Sequence, residues 1–407
     1  MEEWKEYNLG QLVELKNGVA FKSSEFIEQG IPVIKIKNVK PNRILLDDLS
    51  FVSYKSSLNK KCFDIRPTDI LITMTGNRKD GGADSWVGKV ALFNHAGRYL
   101  LNQRVSAIRV KDNSLVDNVY LSYLLSGWDA QLYFVNHSNS SGGQANISPD
   151  IVYNYAVSLP PLSVQYKISS ILKSLDDKIE VNRKINENLE QQAQALFKSW
   201  FVDFEPFKDG EFVESELGMI PKGWRVGTLF DVAEILDKYR KPLSGKDRES
   251  MKKLYPYYGA TSCMDYVDNY IFDGIYTLIG EDGSVAKEDG LPYMQYVWGK
   301  LWVNNHAHIL QGKNGFSTEM IHVFLSMTNI QHLVTGAVQA KLSQANMQKI
   351  LLPIPPSEVL DNIRPIIDKQ YELKRNKEEE SRRLATLRDT LLPKLMSGEL
   401  KVNDIKE

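Results

Sequence analysis

The feature that most restricts the fold is a stretch of 39 residues, 163–201, that contains neither proline nor glycine. Apolar or small residues recur in it at alternating steps of four and three, which is the spacing of a coiled-coil seam on one face of an α-helix. Such a helix would be roughly 55 Å long. Its apolar stripe needs a partner, because a single helix cannot bury its own stripe.

An internal repeat supplies that partner. Trp4 opens a segment that corresponds to the one opened by Trp224, and residues 101–108 correspond to 303–310. Residues 147–161 correspond to 342–356, and this last offset continues through two helical stretches. Matches in the same order predict a duplicated unit, in which a globular domain is followed by a long helix.

The second long helix is predicted from Ser357 to about Met396, and we expect it to pack antiparallel to the first. Each globular domain would then lie at one end of the pair, and a pseudo-two-fold axis would relate the two halves. Asn182 and Asn186 fill the middle seam positions of the first helix. The predicted helix–helix seam consists of Ile168, Leu172, Leu175, Ile179, Leu189, Leu196, Ile363, Ile367, Leu384 and Leu391.

The predicted fold class is α+β, with two strand-rich α/β domains separated by the two long helices. Short β-branched runs such as 69–75 and 105–110 are typical of strands. The predicted segments are a globular domain (1–160), a long helix (161–205), a linker (206–225), a second globular domain (226–355), a second long helix (356–398) and a charged tail (399–407).

Composition excludes several classes of protein. No run of apolar residues is long enough to cross a membrane, and the acidic N-terminus does not resemble a secretory signal, so we expect a cytoplasmic protein. Cys62 and Cys263 are the only cysteines, which argues against a disulfide framework and a cysteine zinc site. The formal net charge is −1, but a basic cluster at 238–253 is compatible with local contact to nucleic acid.

A search for catalytic motifs finds none. The segment 82–90 resembles a phosphate-binding loop, but five residues separate its glycines and Val90 stands where a Mg²⁺-binding hydroxyl is needed. His306 and His308 lie two residues apart in a predicted strand, without a Cys, Asp or Glu at ligand spacing. We therefore predict no catalytic residue, no metal site and no cofactor bound by this chain.

What remains are polar and aromatic loops, of which 76–89 and 138–149 lie in the first domain. Arg and Lys recognise guanine, and Asn and Gln recognise adenine. Two such surfaces held apart by paired helices would read two short DNA segments with an unread gap between them. The alternative is a helical scaffold whose end domains bind proteins, and the near-neutral charge keeps this possibility open.

Several segments together resemble the DNA-specificity subunit of type I restriction-modification systems. They are 147–179, 196–207, 256–274, 276–286, 302–310 and 342–359. The resemblance implies two target recognition domains that each read one half of a bipartite, asymmetric site in double-stranded DNA. It also implies a helical spacer that docks two modification subunits, which carry S-adenosylmethionine and methylate adenine, and further restriction subunits that translocate and cleave DNA. The specificity subunit has no catalytic activity of its own.

The residues that we expect to contact DNA lie in the variable polar loops. In the first domain they are Arg78, Lys79, Asn102, Gln103, Arg104 and Gln144. In the second they are Tyr239, Arg240, Lys241, Tyr258, Thr261, Ser262, Asn304, Asn305, Gln339 and Lys341. Asn102, Asn304 and Asn305 flank predicted strands and could equally be structural turn residues. Apolar helix residues outside the seam, namely Ile171, Ile185 and Phe197, are the predicted docking residues for partner subunits.

Overall fold

The computed structural model describes residues 4–78, 85–141, 144–336 and 339–402, without the side chains of residues 140 and 141. The chain forms two compact units. The first unit comprises residues 1–180 and 381–407, and the second comprises residues 181–380. Each long helix contributes one part to each unit, whereas the predicted segments assigned each helix to a region of its own.

The first unit contains a strand-rich domain and parts of both long helices. Its strands are β1 (Lys5–Asn8), β2 (Val13–Asn17), β3 (Phe26–Ile27), β4 (Ile31–Ile34), β5 (Val39–Lys40), β6 (Arg43–Ile44), β7 (Ser50–Val52), β8 (Ile70–Thr73), β9 (Thr75–Gly76), β10 (Val90–Leu92), β11 (Leu100–Leu101), β12 (Val105–Val110), β13 (Asn139–Ser141), β14 (Gln144–Asn146) and β15 (Ala156–Leu159). Its helices are α1 (Leu9–Leu12), α2 (Tyr54–Ser57), α3 (Asn118–Ser126), α4 (Trp128–His137), α5 (Pro149–Tyr153) and the first part of α6 (Leu162–Phe201).

The second unit begins within α6 and ends within the last helix of the chain. Its strands are β16 (Phe212–Ser215), β17 (Gly218–Pro221), β18 (Arg225–Thr228), β19 (Ala233–Ile235), β20 (Tyr255–Tyr258), β21 (Cys263–Val267), β22 (Phe272–Gly280), β23 (Met294–Val303), β24 (Ala307–Gly312) and β25 (Leu351–Ile354). Its helices are α7 (Leu229–Val232), α8 (Gly245–Glu249), α9 (Thr318–Ser326), α10 (Gln344–Met347) and the first part of α11 (Ser357–Met396).

The sheet topology repeats from one unit to the other. The order β10-β8-β12-β2 in the first unit matches β23-β22-β24-β19 in the second. Individual backbone bonds repeat as well: the Leu9 N–H donates to the Tyr155 carbonyl at 2.8 Å, and the Leu229 N–H donates to the Ile350 carbonyl at 2.8 Å. These pairs have the sequence offsets of the repeat, so the predicted duplication and α+β fold class are confirmed.

The long helices run antiparallel within the first unit. Ile168 and Leu172 of α6 share one core with Leu392 and Leu395 of α11. Farther along α6, Asp176 accepts a 2.5 Å bond from Nη1 of Arg388. Residues later in α6 thus contact residues earlier in α11, as antiparallel pairing requires.

The same direction holds in the second unit. Nδ2 of Asn182 donates to Glu380 at 3.0 Å, and Nζ of Lys374 lies 3.0 Å from Glu190. Toward the end of α6, Ala193 joins the core that contains Ile363 and Ile367. The asparagines at the two middle seam positions, 182 and 186, are both buried. Six of the ten predicted seam residues are only half-buried, namely Leu175, Ile179, Leu189, Leu196, Leu384 and Leu391.

Polar contacts also attach α6 to the domain of the first unit. The Tyr123 hydroxyl donates to Asp176 at 2.5 Å, the same carboxylate that receives Arg388. Burial, and then the negative charge of Asp176, raise the pKa of Tyr123 far above its usual range. The hydroxyl therefore stays protonated and remains a donor, so one carboxylate joins the domain to both helices.

The predicted linker, 206–225, has regular structure. β16 and β17 pair in an antiparallel hairpin in which Val213 lies opposite Ile220. Ile220 and Trp224 belong to the core of the second unit, which explains why this segment carries large apolar residues among its acids. Within the described residues, none of the helices contains a stretch apolar enough to cross a membrane.

Candidate nucleic-acid interface

Three segments of the first unit meet at one edge of its domain, and we call them the first loop surface. They are the turn 102–104, the loop that follows β9, and the β13–β14 segment. The Met74 N–H donates to the Arg104 carbonyl at 2.9 Å, and β14 pairs with β9. Nη2 of Arg78 donates to the Ser138 carbonyl at 2.7 Å. The described parts of the two polar loops singled out in the sequence therefore lie side by side.

Most of the residues predicted to contact DNA in the first unit are accessible. Arg78, Gln103, Arg104 and Gln144 are exposed, and Asn102 is half-buried. The Asn102 backbone closes a turn, because its N–H donates to the Ile34 carbonyl at 3.0 Å and its carbonyl accepts from Val105 at 2.9 Å. Lys79 lies outside the described residues.

One aromatic side chain next to this surface was not predicted from the sequence. Trp128 is 59% exposed, and its ring centroid lies 5.7 Å from that of Trp86, which belongs to the loop after β9. An exposed indole beside polar loops can stack on a base. Its sequence context is an ordinary helix start after a glycine, so the sequence carries no signal for this position.

The second unit brings corresponding segments together, and we call them the second loop surface. They are the turn 304–306, the loop 281–283 and the segment 339–341. The Glu281 N–H donates to the His306 carbonyl at 2.8 Å, and the Leu342 N–H donates to the Glu281 carbonyl at 2.8 Å. The matching bonds in the first unit join Met74 to Arg104 and Ile147 to Met74. The two loop surfaces are thus equivalent parts of the repeat.

Seven of the ten residues predicted to contact DNA in the second unit are exposed to solvent. They are Tyr239, Lys241, Thr261, Ser262, Asn305, Gln339 and Lys341. Tyr258 is half-buried, and its carbonyl accepts from the Asn304 N–H at 3.0 Å. This contact brings the β20–β21 turn, which carries Thr261 and Ser262, next to the turn 304–306.

Asn304 has a structural role instead of the predicted reading role. Its side chain is only 3% exposed, its Oδ1 accepts from the His306 N–H at 2.8 Å, and its Nδ2 contacts Sδ of Met264. The carboxamide thus holds the turn and is not available to a base edge. It stands at the repeat position of Asn102, which closes the equivalent turn.

Arg240 likewise faces inward, which corrects its assignment as a base-reading residue. Its side chain is 13% exposed, and Nη1 donates to Glu281 at 2.6 Å and to the Ala307 carbonyl at 2.8 Å. A guanidinium with this many internal acceptors orders the protein. The neighbouring Lys238, Tyr239 and Lys241 are exposed and remain candidates for contact with DNA.

Elsewhere in the basic cluster 238–253, ion pairs also hold particular side chains. Nη1 of Arg248 lies 2.6 Å from Asp265, and Nζ of Lys253 lies 2.9 Å from the same carboxylate. Lys246 and Lys252 are exposed. The arginines thus fix the path of the segment, and its lysines give it a positive outer surface.

A buried charged cluster lies directly beneath the second loop surface. Asp237, Glu281 and His308 place carboxylate oxygens and ring nitrogens within 4.8 Å of one another. Nη2 of Arg240 lies 3.4 Å from Asp237, and its Nη1 is bound to Glu281. Because the guanidinium already supplies positive charge between the two carboxylates, we interpret the cluster as an ion-pair network.

Asp237 is ionised in this network. Burial alone would raise the pKa of its carboxyl group, but hydrogen bonding and charge from His308, the Ile309 N–H and Arg240 bring the pKa below its ordinary value. The prediction that one strand contains both His306 and His308 is wrong, because β24 begins at Ala307. His306 lies in the exposed turn and His308 in the core.

Phe197 does not suit the predicted docking role. It is 2% exposed, belongs to the core of the second unit, and stacks on Phe201 with a centroid distance of 4.3 Å. Ile171 is half-buried and Ile185 is 36% exposed. Burial of Phe197 follows from its position at the end of α6, where the core of the domain meets the helix.

Comparisons with known proteins agree with this architecture. The family model for the type I restriction modification DNA specificity domain matches residues 1–191 and 221–381. The chain is 24% identical to the type I restriction enzyme HindI specificity subunit of Haemophilus influenzae, over 98% of this chain and 100% of that protein. It is 28% identical to the type I restriction enzyme MjaIX specificity subunit of Methanocaldococcus jannaschii, over 75% of this chain and 73% of that protein.

A third relative matches more strongly over a shorter region. The putative type I restriction enzyme specificity subunit S.HindORF215P of H. influenzae is 38% identical over 34% of this chain and 35% of that protein, so the match spans about a third of the relative. The crystal structure of the type I restriction-modification S subunit from M. genitalium has the same fold, with a TM-score of 0.59 at 15% identity over 97% of this chain and 96% of that one. The chain belongs to the type I restriction-modification DNA specificity family, and it is a non-catalytic subunit that supplies DNA recognition.

Proposed function

We propose that each domain reads one half of a bipartite, asymmetric site in double-stranded DNA. The observation that carries the proposal is the pair of equivalent loop surfaces, which share a backbone framework but present different side chains. Arg104 of the first corresponds to His306 of the second, and Gln103 corresponds to Asn305. Because the two surfaces offer different hydrogen-bonding groups, they favour different base sequences.

On this proposal, exposed residues of each loop surface contact bases and phosphates. Carboxamide and guanidinium groups suit base edges in the major groove, and lysine ammonium groups suit phosphates. The proposed contact residues are Arg78, Gln103, Arg104, Gln144, Lys238, Tyr239, Lys241, Thr261, Ser262, Asn305, Gln339 and Lys341. Asn102 and Tyr258 support the turns beside them.

We expect duplex binding to depend steeply on salt. Phosphate contacts release counterions, so the logarithm of the binding constant falls with the logarithm of salt concentration by about 0.9 for each contact. Exchanging both Lys238 and Lys241 for alanine should weaken binding to all duplexes and lower the slope by about 2. Electrophoretic mobility shifts between 50 and 250 mM salt would measure this.

The Lys369→Ala variant is a matched control for charge, because Lys369 is exposed on α11 and paired with Glu372 at 2.9 Å. It should leave the slope unchanged. A chain that binds duplex DNA without a salt dependence, or binds only protein, would instead favour the helical scaffold.

The outer faces of the helices suit partner subunits. In the second unit Val181, Ile185, Ile366 and Leu373 are 48%, 36%, 47% and 41% exposed. Ile366 and Leu373 are seven residues apart, the spacing of a seam that receives another helix. We propose that two modification subunits dock on the helix pair and bring S-adenosylmethionine for adenine methylation, and that restriction subunits join them in the cytoplasm.

The docking proposal predicts different effects for substitutions of exposed and of buried apolar residues. Changing Ile366 and Leu373 to aspartate should lower assembly with the modification subunit at least tenfold without changing the midpoint of thermal unfolding. Phe197→Ala should instead reduce stability by about 3–5 kcal/mol, because it removes an aromatic ring from a core. Analytical ultracentrifugation of the mixed subunits and thermal denaturation of the free chain give the two measurements. Full assembly of the double aspartate variant would contradict this docking surface.

A further inference from the structure

Met264 lies beside the second loop surface and is exposed although its side chain is apolar. It belongs to β21, the outermost strand of a six-stranded sheet, and it is 56% exposed. Successive side chains of a strand point to opposite faces. The next residue, Asp265, points to the face on which Arg248 and Lys253 bind its carboxylate. Met264 therefore lies on the opposite face of β21.

Two hydrogen-bonded turns hold the sulfur of Met264 in place. Nδ2 of Asn304 contacts Sδ at 3.4 Å. A Cβ atom at Gly259 would lie 2.3 Å from the same sulfur, so only a glycine at that position admits the thioether. The Gly259 N–H donates to the Ser262 carbonyl at 2.9 Å, and its carbonyl accepts from Nε2 of Gln295 at 2.9 Å. A methionine side chain is ordinarily adaptable, but here its sulfur is fixed between these turns.

The first domain uses the corresponding position differently. β7 pairs antiparallel with β4 as β21 pairs antiparallel with β20, and β4 and β20 each run parallel to the strand that leads into the turn at Asn102 or Asn304. Ser50 and Asp265 lie opposite corresponding residues, so Leu49 stands at the position of Met264. Leu49 is half-buried and packs against a core of the first unit. The second domain instead presents this position to solvent.

The chemistry of the neighbouring side chains indicates what Met264 can recognise. Thr261, Ser262, Asn305 and Lys341 offer hydroxyl, carboxamide and ammonium groups, which suit polar base edges and phosphates. A thioether is at best a weak acceptor and contributes by burying apolar surface. The apolar group that a base presents in the major groove is the C5-methyl of thymine. This methyl group is the part of DNA that complements an apolar side chain among polar contact residues.

We propose that Met264 reads a thymine of the second half-site through its C5-methyl group, and that Asn304 and Gly259 position the thioether for this contact. The inference rests on the proposed function, because it requires that the second loop surface faces the bases. Met264 is then a specificity-determining residue. Asn304 is a positioning residue, whose Oδ1 fixes the turn 304–306 and whose Nδ2 fixes the sulfur.

Deoxyuridine tests the contact from the side of the DNA, because it lacks the C5-methyl group of thymidine and keeps the same pairing edge. The complex with its modification subunits is titrated with duplexes in which each thymine of the second half-site, on either strand, is replaced in turn. The second half-site is the one that relaxes in the variant Asn305→Ala with Lys341→Ala. One replacement should weaken binding of the wild-type complex about fourfold, the effect of one buried methyl group.

Variants of the protein test the same contact from the other side. Met264→Ala should bind the thymine and deoxyuridine duplexes equally at that position. Gly259→Ala keeps the methionine but places a methyl group where the sulfur lies, so it should also bring the ratio close to one. Met219→Ala is the matched control, since Met219 is 55% exposed on the β16–β17 hairpin, and it should keep the fourfold ratio. Replacements in the first half-site should affect all four proteins alike.

Several results would overturn the thymine contact. They are a second half-site without thymine, the lack of any effect of deoxyuridine, and a fourfold ratio that persists in folded Met264→Ala. If that variant does not fold, the same ratio in Gly259→Ala decides. Loss of assembly with the modification subunits in Met264→Ala would show that the side chain docks a protein instead. A wild-type complex that binds duplexes with scrambled half-sites as well as the intact site would overturn the proposed function itself.

Discussion

Four extra residues in each long helix should move the two half-sites apart by about two base pairs. Four helical residues add about 6 Å, and the rise of duplex DNA is about 3.4 Å per base pair. The insertions belong after Lys184 in α6 and after Glu378 in α11, because the Asn182–Glu380 bond shows that these positions face each other. Mapping methylated adenines in cells that contain the variant complex would give the new gap directly.

A single insertion is the matched control. Extra residues in α6 alone would put the seam residues of the two helices out of register, so the pair would lose its packing and the complex its activity. The double insertion should restore methylation at a longer gap with both half-sites unchanged. An active double variant that keeps the original gap would show that the helices do not set the spacing.

Exchanging exposed residues of one loop surface should alter one half-site and leave the other intact. In the first domain, Gln103→Ala with Arg104→Ala removes two side chains from the turn 102–104. In the second domain, Asn305→Ala with Lys341→Ala removes two from the equivalent surface. Each lost base contact should reduce discrimination by about 1–3 kcal/mol, which is roughly five- to 150-fold.

Each double variant serves as the control for the other. Methylation by the first should relax at one half-site, and methylation by the second should relax at the opposite half-site. Arg240 and Asn304 are excluded from the exchanges, because their bonds inside the protein would make any loss of reading ambiguous. Relaxation at both half-sites by either variant would contradict independent reading by the two domains.

The repeat made much of the fold predictable. Corresponding residues such as Trp4 and Trp224 indicated the order of elements, and the period of apolar residues indicated both long helices. The segment predicted for the first of them, 161–205, extends four residues beyond the end of α6 at Phe201. The structure places Phe197 in the core because α6 meets the second domain there. Helical period alone could not distinguish a seam between helices from contact with a domain.

Residue types in the sequence located the loop surfaces, but they predicted the roles of individual side chains only in part. Polar loops with Arg, Asn and Gln pointed to the correct regions, and the pairing of β9 with β14 joins two of them. Asn304 and Arg240 have the composition of base-reading residues, but their partners come from segments distant in sequence. Whether such a side chain faces outward depends on tertiary contacts, and a single sequence does not contain that information.

The division of both long helices between the units has a consequence for the order in which the chain can complete its folding. Residues 181–380 form a continuous segment, whereas the first unit needs Leu392 and Leu395 to fill a core begun by residues near the N-terminus. Contacts between such distant segments carry the larger cost in chain entropy and form more slowly. During synthesis the second unit can therefore finish before the first, and the N-terminal domain keeps an apolar edge uncovered until the last helix emerges from the ribosome.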